Sequence, residues 1–231
     1  FPKLKNVYTV NQSIADLYEN KYNVKVKVVR NFPIHKEVVI PNIKKYMGLP
    51  EDKNIIIYQG SGNMERGVSE AIEAMQYVVG AVLLIIGRGD VLGEMKLLVQ
   101  KLQLQHKIIF HDKVPFEQLR QYTLHAAIGI SLDKDTNINY HYSLPNKIFD
   151  YIHCGIPVLS SSLPEIKNIF LKYKIGEMIE SHDPVHIAEK INSMLSNPDK
   201  MKFWKEGCIA AAKELCWQNE EKVLEEIYSS L

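Results

Sequence analysis

Ser143-Leu144-Pro145-Asn146-Lys147-Ile148-Phe149-Asp150-Tyr151-Ile152-His153-Cys154-Gly155-Ile156-Pro157-Val158-Leu159-Ser160-Ser161-Ser162 is the stretch that decides the fold. An apolar run precedes it, Ala126-Ala127-Ile128-Gly129-Ile130-Ser131-Leu132, and reads as a buried strand. Ser143 can cap a helix, and Pro145 suits the first turn, where no N–H is needed. Ile148, Tyr151 and Ile152 fall on one helical face. Gly155 suits the left-handed position after the helix, Pro157 stops its continuation, and Val158-Leu159 opens another strand. The unit is strand, polar loop, short helix, strand.

In an open parallel sheet, the ligand crevice lies at the carboxyl ends of the strands and the helix N-termini that follow them. A helix N-terminus suits phosphate. Lys147 stands in the first turn, where helix-end electrostatics alone favours an acid, so its placement makes sense with an anion bound. Asp150, one turn on, can accept two hydrogen bonds from a vicinal diol such as a ribose. The plainer alternative is a helix with solvated charges.

Working outward, Asn54–Gln59 is a continuous apolar strand of the kind buried on both faces of a parallel sheet. Gly60-Ser61-Gly62-Asn63-Met64-Glu65-Arg66-Gly67 follows, then a helix with Val68, Ala71, Ile72 and Met75 inward. Such a turn lets backbone N–H groups approach an anion, but Glu65 stands where a dinucleotide fingerprint has its third glycine. Further strands are expected at Ala81–Ile86, Lys107–Phe110, Ala126–Leu132, Val158–Ser160 and Gly176–Ile179. Helices are expected at about Val91–Leu102, Val114–His125, Pro184–Leu195, Pro198–Leu215 and Gln218–Tyr228. Asp133–Tyr142 reads as a long polar loop, and long loops are usually functional. Upstream, residues 1–33 read as strand, helix, strand, with Asn11 or Ser13 as the helix cap. Residues 34–53, with Pro41, Gly48 and Pro50 among charges, read as a linker.

Composition narrows the function classes. A net charge of +1, without clustered basic and aromatic residues, argues against a nucleic-acid partner. Cys154, Cys208 and Cys216 form an odd set without Cys-x-x-Cys spacing, which reads as thiols in a reducing compartment. His182-x-x-x-His186 and His106-x-x-x-x-His111 lack a further ligand nearby, so no metal site is expected. No Gly-x-Ser-x-Gly elbow is present, which leaves hydrolase chemistry without support.

Leu144-Pro145-Asn146-Lys147-x-Phe149-Asp150-Tyr151-x-x-x-Gly155-x-Pro157-Val158 resembles the donor-binding signature of the family-4 retaining glycosyltransferases, which have the GT-B fold. Gly60-to-Gly67 resembles that family's Gly-Arg-x-x-x-x-Lys-Gly diphosphate clamp, with Arg66-Gly67 at the second cation and Ser61 at the first. Tyr142 stands where the family has a glutamate near the donor sugar, so no catalytic residue is assigned. The resemblance implies an α/β chain with a doubly wound, Rossmann-like parallel sheet of about six strands, the C-terminal half of a GT-B fold. Residues 1–33 would be a remnant of the N-terminal domain, 34–53 the linker and 54–231 the nucleotide-sugar-binding domain, with Trp217 where the last helix crosses back.

The implied reaction moves a sugar from a nucleotide-diphosphate sugar to an acceptor with retention, aided by Arg66, Lys147 and helix amides around the departing diphosphate. The implied binding set is Gly60, Ser61, Arg66, Gly67, Tyr142, Ser143, Asn146, Lys147 and Asp150. Asn137 and Asn139 are candidates toward the sugar, Arg88 and residues 107–113 toward the nucleoside, and Ser161-Ser162 toward the phosphates. No cofactor or metal is expected, because the nucleotide sugar is itself the donor substrate. The acceptor would be a glycan or lipid-linked glycan met by the absent N-terminal part. The expected location is cytoplasmic, with peripheral contact at the inner membrane face left open for the full-length protein. A sugar-nucleotide epimerase and a non-catalytic binding module are the competing readings, and this chain alone is expected to bind nucleotide weakly without transfer.

Overall fold

The computed structural model describes residue 4, residues 6–38 and residues 47–229. Six parallel strands form the main sheet: β3 (Asn54–Gln59), β4 (Ala81–Ile86), β5 (Ile108–His111), β6 (Ile128–Ser131), β7 (Val158–Ser161) and β8 (Gly176–Ile179). They lie in the order β5-β4-β3-β6-β7-β8. The apolar runs of β3 and β4 feed both sides of the sheet. Ile55, Ile57, Val82 and Leu84 enter one buried cluster, while Ile56, Tyr58, Leu83 and Ile85 enter the other. That alternation is the strand's two-residue period, and two buried faces explain why no polar residue interrupts the runs.

Helices cover both faces. α2 (Val68–Ala74), α3 (Leu92–Lys101) and α8 (Pro184–Leu195) supply one cluster; α4 (Phe116–Leu124), α6 (Asn146–His153), α7 (Pro164–Tyr173) and α9 (Pro198–Glu214) supply the other. Gly129 in β6 has no side chain for a packing reason. A Cβ there would lie 2.4 Å from the Tyr151 ring, whose hydroxyl sits 3.2 Å from the carbonyls of both Ile57 and Ile130. The ring thus locks α6 onto the sheet at the boundary between β3 and β6.

That boundary matters because the chain goes from β3 outward to β4 and β5, then crosses back to β6 on the other side of β3. Strand order reverses there, which leaves a crevice at the carboxyl ends of β3 and β6.

A smaller unit precedes the sheet: β1 (Val7–Thr9), α1 (Gln12–Tyr22) and β2 (Val26–Val28), with β1 and β2 parallel. Of the two expected caps, Asn11 is the one used, its Oδ1 accepting from Ile14 N at 2.9 Å. Its Nδ2 donates 2.8 Å to the Tyr142 carbonyl, and the residue is fully buried. Glu165 of α7 accepts from Ser13 N at 2.8 Å. The last helix, α10 (Trp217–Ser229), returns to the same unit: Trp217 N donates to Pro33 O at 2.9 Å, and Glu220 accepts from Arg30 N at 2.7 Å. Of the expected linker 34–53, residues 39–46 lie outside the described residues, while Leu49 is buried in the main core. No helix among the described residues is long and apolar enough to cross a membrane.

Two local expectations change. Ser143 does not cap α6; Pro145 holds the cap position in an extended conformation and Asn146 begins the helix. Ser143 instead turns back, its N–H donating to Tyr140 O at 3.0 Å, and its hydroxyl is buried without a hydrogen-bond partner among the described residues. The 133–142 loop contains a one-turn helix, α5 (Ile138–His141), because Asn137 Oδ1 accepts from both Asn139 N and Tyr140 N.

Candidate functional site

A cavity of about 470 Å³ opens at the switch point, lined by Gln59, Gly60, Ser61, Arg66, Ser143, Asn146, Lys147 and Asp150 among others. A second, of about 410 Å³, shares Gly60, Ser61 and Leu119 with it and adds Arg88, Lys113, Val114 and Phe116. The floor between them is the end of β3.

The glycines of the β3–α2 loop serve a different purpose from the expected anion cradle. Gly60 N donates to Ile86 O and Gly62 N to Arg88 O, both at 3.0 Å, so the loop after β3 runs bonded to the loop after β4. Gly87 has φ +154, and a Cβ on it would stand 1.9 Å from Gly60 O. These glycines let two loops touch, and the N–H groups of Gly60 and Gly62 are already committed.

Lys147 is the unusual group. It lies in the first turn of α6, is 9% exposed, and its Nζ has no hydrogen-bond partner among the described residues. The Tyr58 ring lies against it, 4.2 Å from Nζ to centroid, and partly compensates its charge. Tyr58 is itself fixed by donating 2.7 Å to Ser61 O. Burial pulls the Lys147 ammonium down to a pKa of about 8, with Asp133 opposing and Arg66 reinforcing that shift.

Arg66 is held quite differently. Its Nη1 pairs at 2.9 Å with Oδ1 of Asp133, a carboxylate with no exposed surface, and its guanidinium lies 4.7 Å from the Tyr140 ring centroid. The other Asp133 oxygen accepts from Ser131 Oγ at 3.2 Å. Burial works against the charge on Arg66, but Asp133 outweighs it and holds the guanidinium above its usual pKa.

Asp150 faces the same cavity, one turn after Lys147. Burial raises its carboxyl to about 6, against the lowering effect of a 2.8 Å hydrogen bond from Gln59 Nε2 and of Arg120. The first cavity is thus lined by the cations Arg66 and Lys147 and by Asp150, with the buried Asp133 paired to Arg66.

The structure brings together Gly60, Ser61, Arg66, Ser143, Asn146, Lys147 and Asp150. Gly67 lines a separate, smaller cavity of about 200 Å³ beside Glu70 and Lys134, which Arg66 also borders. Tyr142 lines another with Asp135, Asn137 and His141, its ring against the His141 ring. Ser161 is also used elsewhere, its hydroxyl 3.2 Å from His182 Nε2. Tyr58, Gln59, Thr123, Asp133 and Tyr140 are site residues that the sequence reading passes over. Polar residues ending apolar strands, Gln59 and Asp133, are the signal that marks two of them. Among the described residues, no group of three or more His, Cys, Asp or Glu side chains is arranged to hold a metal, and the three cysteines are buried free thiols.

Comparison with known proteins places this geometry. Residues 39–209 match the family model "Glycosyl transferases group 1". A D-inositol 3-phosphate glycosyltransferase of Xylanimonas cellulosilytica is 19% identical over 81% of this chain and 45% of its own length. A chitobiosyldiphosphodolichol beta-mannosyltransferase of Yarrowia lipolytica is 27% identical over 57% of this chain and 27% of its own. Among solved structures, sucrose-phosphate synthase from Thermosynechococcus elongatus superimposes with TM-score 0.84 at 17% identity, over 99% of this chain and 59% of that one. HepE from Anabaena, in complex with UDP-glucose, gives 0.84 at 14% identity over 100% and 65%. This chain thus spans less than half of these two curated relatives and under two thirds of these two solved chains. With most of its length matched to the family model, the chain belongs to the group 1 glycosyltransferases.

Proposed function

We propose that the chain is the donor-binding, C-terminal part of a retaining glycosyltransferase, and that a nucleotide-diphosphate sugar lies across the two adjoining cavities. The observation that carries this reading is Lys147, a buried ammonium at the switch point of the sheet whose Nζ has no hydrogen-bond partner among the described residues. A buried unpaired charge is costly, and a diphosphate would supply the counter-charge it lacks. Asp150 would accept the ribose hydroxyls. The bond between the sugar's anomeric carbon and the diphosphate oxygen breaks; Lys147, with Arg66 nearby, stabilises the departing charge, and an acceptor hydroxyl oxygen bonds the anomeric carbon on the same face while its proton passes to the departing diphosphate. Relatives named as glycosyltransferases, and a similar fold solved with UDP-glucose, support this choice.

The acceptor, a glycan or lipid-linked glycan, belongs to the same proposal and would be met by parts of the protein beyond this chain, at the cytoplasmic face of a membrane. The Yarrowia relative, named for a dolichol-linked substrate, supports that class.

Calorimetry with UDP, GDP, ADP and their sugars, on the wild type and on Lys147→Ala and Asp150→Ala, tests the donor site. Binding that both substitutions weaken is expected. No binding to any nucleotide, or binding untouched by both changes, would remove the donor-site reading. Sugar transfer by this 231-residue chain alone would contradict the division of labour proposed for it.

A further inference from the structure

The end of β3 carries a hydrogen-bonded chain that the donor reading does not use. Gln59 and Thr123 are 2% and 1% exposed. The Gln59 amide sits between α4 and α6: Nε2 donates to Asp150 Oδ2 at 2.8 Å, and Oε1 accepts from Thr123 Oγ1 at 2.8 Å. Its backbone N–H donates to the Tyr151 hydroxyl at 3.3 Å. Thr123 Oγ1 also lies 3.0 Å from Leu119 O, one helical turn back.

We propose that Gln59, backed by Thr123, is a positioning residue for donor binding: it engages one oxygen of Asp150 and leaves the other, Oδ1, for a vicinal diol. This inference rests on the donor-site reading above.

The direction of the relay follows from counting protons. An ionised Asp150 only accepts, so the amide must present Nε2 to it and Oε1 to Thr123, whose single hydroxyl proton then points at Gln59. When Asp150 takes up a proton, the acid O–H can donate to a reversed amide. Nε2 then donates to Thr123 Oγ1, and the hydroxyl turns to Leu119 O. The same 2.8, 2.8 and 3.0 Å contacts serve both states, with the Gln59 amide turned over between them. Only the first state commits a donor to the carboxylate. Replacing the amide by an apolar group removes that donor and leaves burial as the larger influence on Asp150.

Other titratable groups share the cavities that Asp150 lines: Arg120 and Glu117 of α4, Lys36 after β2, Arg66 before α2, and Lys147 and His153 of α6. Of these, Arg120 also favours the ionised form of Asp150, and it stays in place in the variants below. The nearby Cys154 thiol is pushed up by burial to about 12 and contributes no charge at neutral pH.

The test measures the Asp150 titration by carboxyl carbon NMR in the ligand-free chain, and UDP affinity against pH by calorimetry, for the wild type, Gln59→Leu, Thr123→Val and Thr123→Ser. Gln59→Leu should raise the Asp150 midpoint by about one pH unit and carry the acid limb of UDP binding with it. Thr123→Val should move both the same way by less, and Thr123→Ser should restore them. A midpoint unmoved in both Gln59→Leu and Thr123→Val would overturn the proposal, as would an acid limb that stays in place while the midpoint moves. Absence of UDP binding in the wild type would defeat the donor reading instead, and the Asp150 titration would still decide whether Gln59 governs this carboxylate.

Discussion

Two segments meet at the switch point and treat their cations in opposite ways. On the β3–α2 loop, Arg66 is neutralised by the buried Asp133, stacked on Tyr140, and approached by backbone whose N–H groups at Gly60 and Gly62 are already spent. At the start of α6 and just before it, Lys147 Nζ and the Ser143 hydroxyl are buried without a hydrogen-bond partner among the described residues. The first segment pairs its cation with a buried carboxylate, leaving Arg66 Nε without a hydrogen-bond partner among the described residues, whereas the second gives its cation no carboxylate at hydrogen-bond distance. Affinity for an anion should therefore reside mainly in α6, while the loop contributes rigidity.

The sharpest way to break this contrast is Lys147→Met. It should weaken UDP binding on the order of 100-fold, the loss of a charge-assisted contact worth about 3 kcal/mol. The same change should make the free protein more stable. A lysine held at about 8 instead of 10.5 costs roughly 3 kcal/mol below pH 8. That cost fades as pH rises toward 10.5, so denaturant titrations of wild type and variant should converge there. A Lys147→Met variant less stable than the wild type at pH 7 would mean that the ammonium is already satisfied.

Arg66→Met should behave in the opposite sense, destabilising the protein by roughly 3 kcal/mol because Asp133 is stranded in the interior. Adding Asp133→Leu should recover most of that loss. If both single cation variants shift stability in the same direction, the contrast between the two segments is wrong.

Asp150→Asn should lower UDP affinity roughly 10-fold, since an amide accepts diol hydrogen bonds less strongly than a carboxylate. The smallest effect is the pH dependence of the wild type. Binding should fall below about pH 6 as Asp150 is protonated, and above about pH 8 as Lys147 loses its proton. Lys147→Met should remove the alkaline limb alone.

Much of this architecture was legible in the residues. The continuous apolar runs at 54–59 and 81–86 mark strands buried on both faces, and both strands have those bounds. Pro184 and Pro198 sit just inside the starts of α8 and α9, where proline is favoured. The site was legible in part. The placement of Lys147 in a first turn of helix stood out because it runs against the helix dipole. Its burial did not, because neighbours such as the Tyr58 ring come from a strand far away in the chain. Arg66 and Asp133 are 67 positions apart, and no local pattern links them. The glycine-rich loop was misleading for a similar reason: its partner is another loop, so glycines needed for contact resembled glycines needed for an anion. Asn137 nucleates a turn of helix in a stretch whose polarity reads as loop, since one capping side chain outweighs composition over four residues.

Asn11 joins the N-terminal unit to the approach to α6 in a way that bears on motion. One end of its amide starts α1, and the other holds the carbonyl of Tyr142, the residue before the Ser143–Lys147 approach to α6. With both ends occupied, the side chain works as a strut between the N-terminal unit and the segment that presents Lys147. Any rotation of that unit must either snap the strut or drag the approach to α6 along, so displacement at one end of the chain is delivered as a change in the lysine's setting.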